Sequence, residues 1–397
     1  MNTNYKITPE GTKDLLFEEC SAKNKVTNIF KEIFEEKGYH QVYTSGLEFL
    51  DIFSLARSGI AAENMYKMTD NKGRLLVVRP DSTLPIARMV CTRLQNEVTP
   101  IRLFYNQPIY RNNASLKGRR HEVNQTGIEL LGVKGMRADL EVIVTAIQSL
   151  QKIVPDFRFE LGNAIFFKSL VKKLSVSDMV AEEIRVTIES KNYSALNILL
   201  DSLEPSSTVE SLRSLPRLFG GEEVFGKAEK LFVDTDTQEA LKSLKQIYKT
   251  IAPLCGEDNL IIDLGLVQRN NYYSDIIFSG YVEGSGEAIL IGGRYDKLAD
   301  VFNTTMPAAG FGINVDELAK ILLKNKFIKY ARVPEVLVHG DDNYSIEAIN
   351  KADFYSKSGI SSECSVFDSR EDALDYARKK DIKKVCFVSE EIEIVEL

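Results

Sequence analysis

The hydrophobic pattern opens with a run of helical spacing. Val26, Ile29, Phe30, Ile33 and Phe34 recur at intervals of one to four residues within Leu16 to Lys37, and Gly38, suited to the left-handed position after a helix, follows. This spacing predicts an amphipathic helix that buries one stripe. From about residue 40 to 132 the pattern turns to strands, with LLVVRP and RLFYNQPIYR set between short polar turns. A helix is predicted after Pro80 and another over Arg137 to Ile153. Between 164 and 254 the strand signals fade, and AEEIRVTIESK, SALNILLDSLE and TQEALKSLKQIYKTI read as amphipathic helices of an insertion. Strands return in NLIIDLGLVQRNNYYSDIIFSGYV and EAILIGG, and PAAGFGINVDELAKILLK reads as a strand running into a helix.

After Val333 strand and helix patterns alternate through PEVLVHG, IEAINKADFYSKS, a stop at Gly359, ISSECSVF, REDALDYARKK, KKVCFVS and IEIVEL. That alternation predicts a small, mostly parallel α/β domain. The chain is therefore divided into residues 1–330, which carry the helical insertion at about 164–254, and residues 334–397.

HEVNQTGIELLG, residues 121–132, has two faces of opposite character. Side chains alternate along a strand, so Val123, Gln125, Gly127, Glu129 and Leu131 share one face, while Thr126, Ile128 and Leu130 share the other. One face is apolar; the other carries an amide and a carboxylate around a glycine. With the preceding RLFYNQPIYR and NNASLKGRR it predicts a long antiparallel hairpin, whose loop gathers Arg111, Lys117, Arg119 and Arg120 with no acid among them. Such a tip is either a solvated charge cluster or a clamp for phosphate, whose oxygens a planar guanidinium binds in pairs.

Three further stretches bear on chemistry. In RPDSTLP (79–85) Asp81 or Ser82 suits a helix cap with Pro85 in the opening turn. Asp81 also adds a carboxylate, and an α-ammonium group is a natural partner for gathered acceptors. The paired glycines of IGGRYDKL allow close backbone approach. NNYYSDIIF is expected to set Tyr272 and Tyr273 on opposite faces of a strand.

Composition narrows the classes. A chain of 397 residues exceeds what one core usually serves. A net charge of −7 gives no global attraction to nucleic acid or to an anionic membrane. Cys20, Cys91, Cys255, Cys364 and Cys386 are scattered without CxxC spacing, which suggests neither a disulfide framework nor a zinc site. No basic and apolar leader and no apolar run of spanning length is read, so the cytoplasm is the expected compartment. His40, His121 and His339 fit neither a catalytic triad nor metal-ligand spacing, and no phosphate-cradling glycine loop is present, so no cofactor or metal is expected.

Taken in order, GTKDLL (11–16), MYKMTDNKGRLLVVRPDSTLPIAR, the Tyr105 to Gly132 hairpin, LVQRNNYYSDIIF, GGRYDKL and PAAGFGI resemble the catalytic core of class II histidyl-tRNA synthetases over residues 5 to 325. The resemblance implies an α+β fold: an antiparallel sheet of six-stranded type flanked by helices, with a dimer interface near the first motif. The insertion falls where that family places one, and residues 334–397 resemble a shortened anticodon-binding domain. The matching histidine-binding positions are Asp81, Thr83, Gln125, Glu129 and Tyr273. Asp81 and Glu129 would meet the ammonium, Thr83 and Gln125 would add hydrogen bonds, and Tyr273 would enclose the ligand.

The departures fall on positive charge. Gln268 stands where the family's LVRGLDYY motif has an arginine serving adenylation, with Arg269 one position displaced. Arg111 keeps the phosphate-binding arginine of the hairpin, and Lys117 and Arg119 extend that remnant. Asn113 replaces the acid for adenine, His121 replaces a loop arginine, and Glu317 matches another expected arginine. Asn314 and Glu317 also make a plausible capping box. Two lost charges weaken the electrostatic stabilisation that aminoacyl-adenylate formation requires.

An amino-acid floor without phosphate chemistry resembles the ATP phosphoribosyltransferase regulatory subunits, paralogues of these synthetases. That resemblance implies no catalytic residues and a place in a glycosyltransferase complex for the first step of L-histidine biosynthesis. Its implied partners are a short-form catalytic subunit and a second copy of the chain, as a homodimer within a hetero-oligomer, with L-histidine as effector. Neither tRNA nor membrane is an expected partner. A divergent active histidine–tRNA ligase is the alternative.

Overall fold

In a computed structural model of the chain, which describes residues 6–55, 59–113, 120–256, 258–267, 272–325 and 333–397, the first helix spans Phe17–Glu36. It stops before Gly38, whose φ of +79° few other residues adopt without strain. Ala22, Val26, Phe30 and Phe34 form its buried stripe. Phe34 lies 5.7 Å from the Phe104 ring and 6.0 Å from that of Phe311, so the helix seats on the apolar face of a sheet.

The strands are numbered along the chain. β1 (His40–Gln41) belongs to the main sheet, while β2 (Leu47–Phe49), β3 (Lys67–Thr69) and β4 (Leu75–Val78) form a separate antiparallel sheet in the order β2-β4-β3. The main sheet continues with β5 (Ile101–Tyr110), β6 (Glu122–Leu131), β7 (Phe157–Asn163), β8 (Phe219–Gly220), β9 (Leu260–Asp263), β10 (Ile276–Val282), β11 (Leu290–Arg294) and β12 (Ala308–Asn314). Its order is β1-β5-β6-β12-β11-β10-β7-β9-β8. Every neighbouring pair from β5 to β7 in that order is antiparallel. The six-stranded antiparallel sheet expected from the sequence is therefore present, and it is extended at its edges by parallel β1 and β9 and by β8.

β5 and β6 pair over ten residues, from Ile101 opposite Leu131 to Tyr110 opposite Glu122. This register settles which face of β6 is which. Ile128 and Leu130 are buried on the side of the first helix, with Ile128 flanked by Phe104 and Phe311 on neighbouring strands. The opposite face, with Gln125, Gly127 and Glu129, is directed toward the helix Thr83–Arg93.

The insertion forms helices Ala164–Leu174, Asp178–Glu189, Tyr193–Asp201, Ser207–Ser214, Glu223–Leu231 and Thr235–Cys255. Asn163, Ser177, Asn192, Ser206 and Asp234 each cap one of them by accepting a backbone N–H, which makes short helices viable. Among the described residues no helix is long and apolar enough to cross a membrane.

Contacts divide the chain into two compact units, Met1–Phe327 and Ile328–Leu397. In the second, β13 (Val336–Gly340) pairs in parallel with β14 (Ser362–Cys364) and β15 (Lys384–Val388), and β16 (Ile392–Glu396) adds antiparallel to β15. Val336 and Val338 pack against Ala348 and Ala352 of the helix Ser345–Lys357; on the other face Leu337 and Val385 pack against Ala373 and Ala377 of the helix Arg370–Lys379.

Phe34 joins the first helix to Phe104 and Phe311 and stacks on Phe30 of the same helix, with none of its surface exposed. Phe34→Ala is expected to cost about 3–5 kcal/mol. Urea unfolding monitored by circular dichroism would measure the loss.

Candidate functional site

The polar face of β6 is a floor that runs from half-buried Gln125 to fully buried Glu129. Glu129 lies opposite Gly310, Gly127 opposite Gly312 and Gln125 opposite Asn314 on β12, while Leu103, Tyr105 and Gln107 of β5 stand on the other side. The glycines are there for space. A Cβ on Gly310 would stand 2.2 Å from Glu129 Oε2 and 2.7 Å from the Tyr295 hydroxyl. One on Gly127 would meet the Phe311 carbonyl oxygen at 2.0 Å and the Tyr105 hydroxyl at 2.8 Å. Glu129, at the centre of this face, is 1% exposed.

The start of the helix Thr83–Arg93 brings the second carboxylate over this floor. Asp81 Oδ1 accepts the Leu84 N–H at 3.1 Å, so Asp81 rather than Ser82 provides the cap. Thr83 hydrogen-bonds toward Glu129. The Tyr105 hydroxyl donates to Gln125 Oε1 at 3.1 Å. Tyr273, Tyr272 and Tyr295 form the wall, with ring centroids 5.0 Å, 5.6 Å and 6.2 Å apart in pairs. Asp81, Thr83, Gln125, Glu129 and Tyr273 come from three separate stretches of chain; Thr83 and Glu129 line a small cavity, and the Asp81 and Glu129 charges act on each other and on the Tyr273 hydroxyl.

Tyr272 and Tyr273 do not occupy opposite faces of a strand. Both precede β10, in the turn that leads into it, and their rings pack against the same cluster. A turn has no two-residue alternation, so both rings point one way. Lys168 of the insertion donates to the Tyr273 carbonyl oxygen, tying this wall to the helix Ala164–Leu174.

The two carboxylates are supported unequally. Burial raises the Asp81 carboxyl, opposed by Arg111 and by the backbone N–H groups of Leu84 and Thr83. Burial lifts Glu129 well above the usual carboxylate range; hydrogen bonding from Thr83 opposes this and the Asp81 charge adds to it. Glu129 Oε2 and the Tyr295 hydroxyl are buried without a hydrogen-bond partner, and both face the space above Gly310. An unpaired buried carboxylate is costly, and a ligand ammonium or ring N–H is the kind of group that relieves it.

The positive side of the site is sparse. Arg111 donates from Nε to the Pro80 carbonyl at 2.9 Å and approaches Asp81 to 3.9 Å, so it is held against the acid rather than free in the hairpin loop. Asn113 closes the base of that loop by donating to the Arg120 carbonyl, and the His121 ring sits beside Tyr66, 2.5 Å from Nδ1 to its hydroxyl. Lys117, Arg119, Gln268 and Arg269 lie outside the described residues. Asn314 caps the helix Val315–Lys324 by accepting the Glu317 N–H at 3.0 Å, while the Glu317 carboxylate pairs with Lys320 at 3.1 Å. The capping box is therefore half formed, because the Asn314 N–H goes to the Ile289 carbonyl instead.

Residues 11–318 match the family described as histidyl-tRNA synthetase. An ATP phosphoribosyltransferase regulatory subunit of Clostridium acetobutylicum is 40% identical over 96% of this chain and 94% of its own length. The chain belongs to the ATP phosphoribosyltransferase regulatory subunit family. A second member, from Clostridium kluyveri, is 39% identical over 95% of this chain and 98% of its own. A crystal structure from Bacillus halodurans, titled an ATP phosphoribosyltransferase regulatory subunit/histidyl-tRNA synthetase, superposes with a TM-score of 0.82 at 26% identity, covering 96% of this chain and 98% of that one.

Within this regulatory-subunit chain, sequence reasoning passed over Tyr105 and Tyr295. Tyr105 was findable from hairpin register, since it falls opposite Gly127. Tyr295 follows the paired glycines of IGGRYDKL, and those glycines were its signal.

A carboxyl raised on folding favours the folded state below its unfolded value near ~4.3. That advantage is lost as pH rises through the higher folded value. Glu129→Gln is accordingly expected to raise the melting temperature of the ligand-free protein at neutral pH, by roughly 1–3 kcal/mol of stability. The gain should shrink toward acid pH, as followed by differential scanning calorimetry across a pH series.

Proposed function

We propose that this chain is the non-catalytic regulatory subunit of an ATP phosphoribosyltransferase, joined to a short-form catalytic subunit for the first step of L-histidine biosynthesis. The names and full-length similarity of its relatives support the reading. The observation that carries its chemistry is the buried pair of Asp81 and Glu129 above a glycine floor, with Glu129 Oε2 unpartnered. L-Histidine is the effector in this reading. Its ammonium meets Asp81 and Glu129, Thr83 and Gln125 add hydrogen bonds, and the tyrosines enclose it.

Electrostatics favours holding an amino acid over activating one. Arg111 already faces Asp81, and Glu317 carries a negative charge at the start of the helix that follows β12. A triphosphate needs positive charge arranged before it arrives. In this reading residues 334–397 are a shortened relative of an anticodon-binding domain.

A second copy of the chain also belongs to the proposal. Leu47, Phe49 and Met68 of the small sheet are 44%, 40% and 44% exposed, and its register places them on one face with Leu76. An apolar face of this kind marks an interface. Phe49→Glu is expected to convert a homodimer into monomers, as read by sedimentation velocity.

The functional test is a paired assay. Added to a short-form catalytic subunit, the chain should raise phosphoribosyltransferase turnover, and histidine should inhibit the complex. Asp81→Asn and Glu129→Gln should each weaken histidine binding at least about tenfold, the scale of a lost charge-assisted contact. Histidine-dependent exchange of pyrophosphate into ATP by the chain alone, without activation of the partner, would establish the ligase instead.

A further inference from the structure

A second cavity opens between the helical insertion and the far edge of the main sheet. Lys191, Tyr193, Phe219, Asp263 and Ile188 line it, and Gly265 leaves room at its base. It uses none of the residues of the Asp81–Glu129 pocket.

Its charged groups sit in unusual settings. Lys191 lies between the helices Asp178–Glu189 and Tyr193–Asp201 with a φ of +53°, a left-handed conformation that a lysine adopts only under strain. The Lys191 ammonium stands over the Phe219 ring at 5.7 Å. Asp263 ends β9 directly opposite Phe219 and is 7% exposed. Burial and the neighbouring Glu160 push the Asp263 carboxyl up to about 7, while Lys191, the Gly265 N–H and Arg158 oppose the rise. Lys191 thus acts on the Asp263 carboxyl across the cavity without pairing directly.

The remaining walls are apolar or aromatic and open to solvent. Tyr193 is 44% exposed and Phe219 40% exposed at the rim. A ligand suited to this cavity carries an anionic group for Lys191, a cationic N–H for Asp263 and an apolar or planar body for the two rings. A polyanion is disfavoured because Asp263 is backed by a second buried carboxylate, Glu160. A simple cation leaves Lys191 unused.

We propose that this cavity is a second ligand site, which binds a free α-amino acid with an aromatic side chain through its ammonium at Asp263, its carboxylate at Lys191 and its ring between Tyr193 and Phe219. The site does not depend on the assignment of histidine to the first pocket. Its strained lysine is then part of the recognition geometry, since the left-handed turn is what holds the ammonium over the cavity.

The test titrates the full chain with L-phenylalanine by calorimetry and by saturation-transfer NMR. Lys191→Gly removes the ammonium while relieving the left-handed strain, so its melting temperature should equal or exceed that of the parent while affinity falls at least tenfold. Asp263→Asn should lose affinity to a similar degree, and Glu129→Gln should bind L-phenylalanine as the parent does. Phenethylamine, without the carboxylate, and phenylacetate, without the ammonium, should each bind more weakly. Absence of L-phenylalanine binding, unchanged affinity in a folded Lys191→Gly variant, or a loss confined to Glu129→Gln would overturn the proposal.

Discussion

Two carboxylates out of water in one cleft are the constraint around which the first unit is arranged. A buried charge without a partner is among the costliest features a fold can hold, and two of like sign add mutual repulsion. The molecule answers Asp81 locally. It stands at the start of the helix Thr83–Arg93, where the Leu84 N–H and the positive end of the helix dipole favour an anion, with Arg111 beyond. Glu129 receives no such support on Oε2. It faces Gly310, on the side where the unpartnered Tyr295 hydroxyl also stands.

That asymmetry separates framework from site. Several polar groups that serve packing are satisfied within the molecule, as Arg79 is by the carbonyls of Thr44, Ser45 and Pro108, and Arg88 by Glu48. Arg294 binds Asp139 at 2.7 Å and Asp296 at 2.8 Å, with its Nη2 left unpartnered. Glu129 Oε2, on the polar face of β6, is left without such a partner. The sheet tolerates this because its other face is fully committed: Phe104, Ile128 and Phe311 pack beneath the first helix and hold β5, β6 and β12 in register whether or not the cleft is filled.

Periodicity made much of this legible before any coordinates. The first helix, the β5–β6 hairpin, the helical insertion and the alternating C-terminal segment all follow from spacings within one stretch of chain. Gln125 and Glu129 on one face of β6 followed too, since a two-residue period allows nothing else. Their burial did not, because it depends on the helix Thr83–Arg93 and on a glycine-rich strand 180 residues downstream. Assembly of Asp81 with Glu129 came from resemblance to a known family, not from pattern. Tyr272 and Tyr273 were misplaced because alternation was applied to residues that precede the strand. The Lys191–Asp263 cavity had no local signal at all, its residues being joined only by the pairing of β8 with β9.

A pocket can regulate only where filling it changes something beyond itself. A ligand shifts an equilibrium by the difference in its affinity for two states, so its contacts must involve a part that moves. The floor of strands is a poor candidate, being fixed on both sides by ladder pairing. The wall is better placed: Tyr273 precedes β10 outside the ladder, and its carbonyl is held by Lys168 of the insertion. Asn163, at the same helix start, donates to Asp275 at 2.5 Å, so two contacts couple the insertion to the residues enclosing the cleft. These two contacts tie the wall of the cleft to the helix Ala164–Leu174, so a ligand that displaced Tyr273 would act on that helix rather than on the strand ladder.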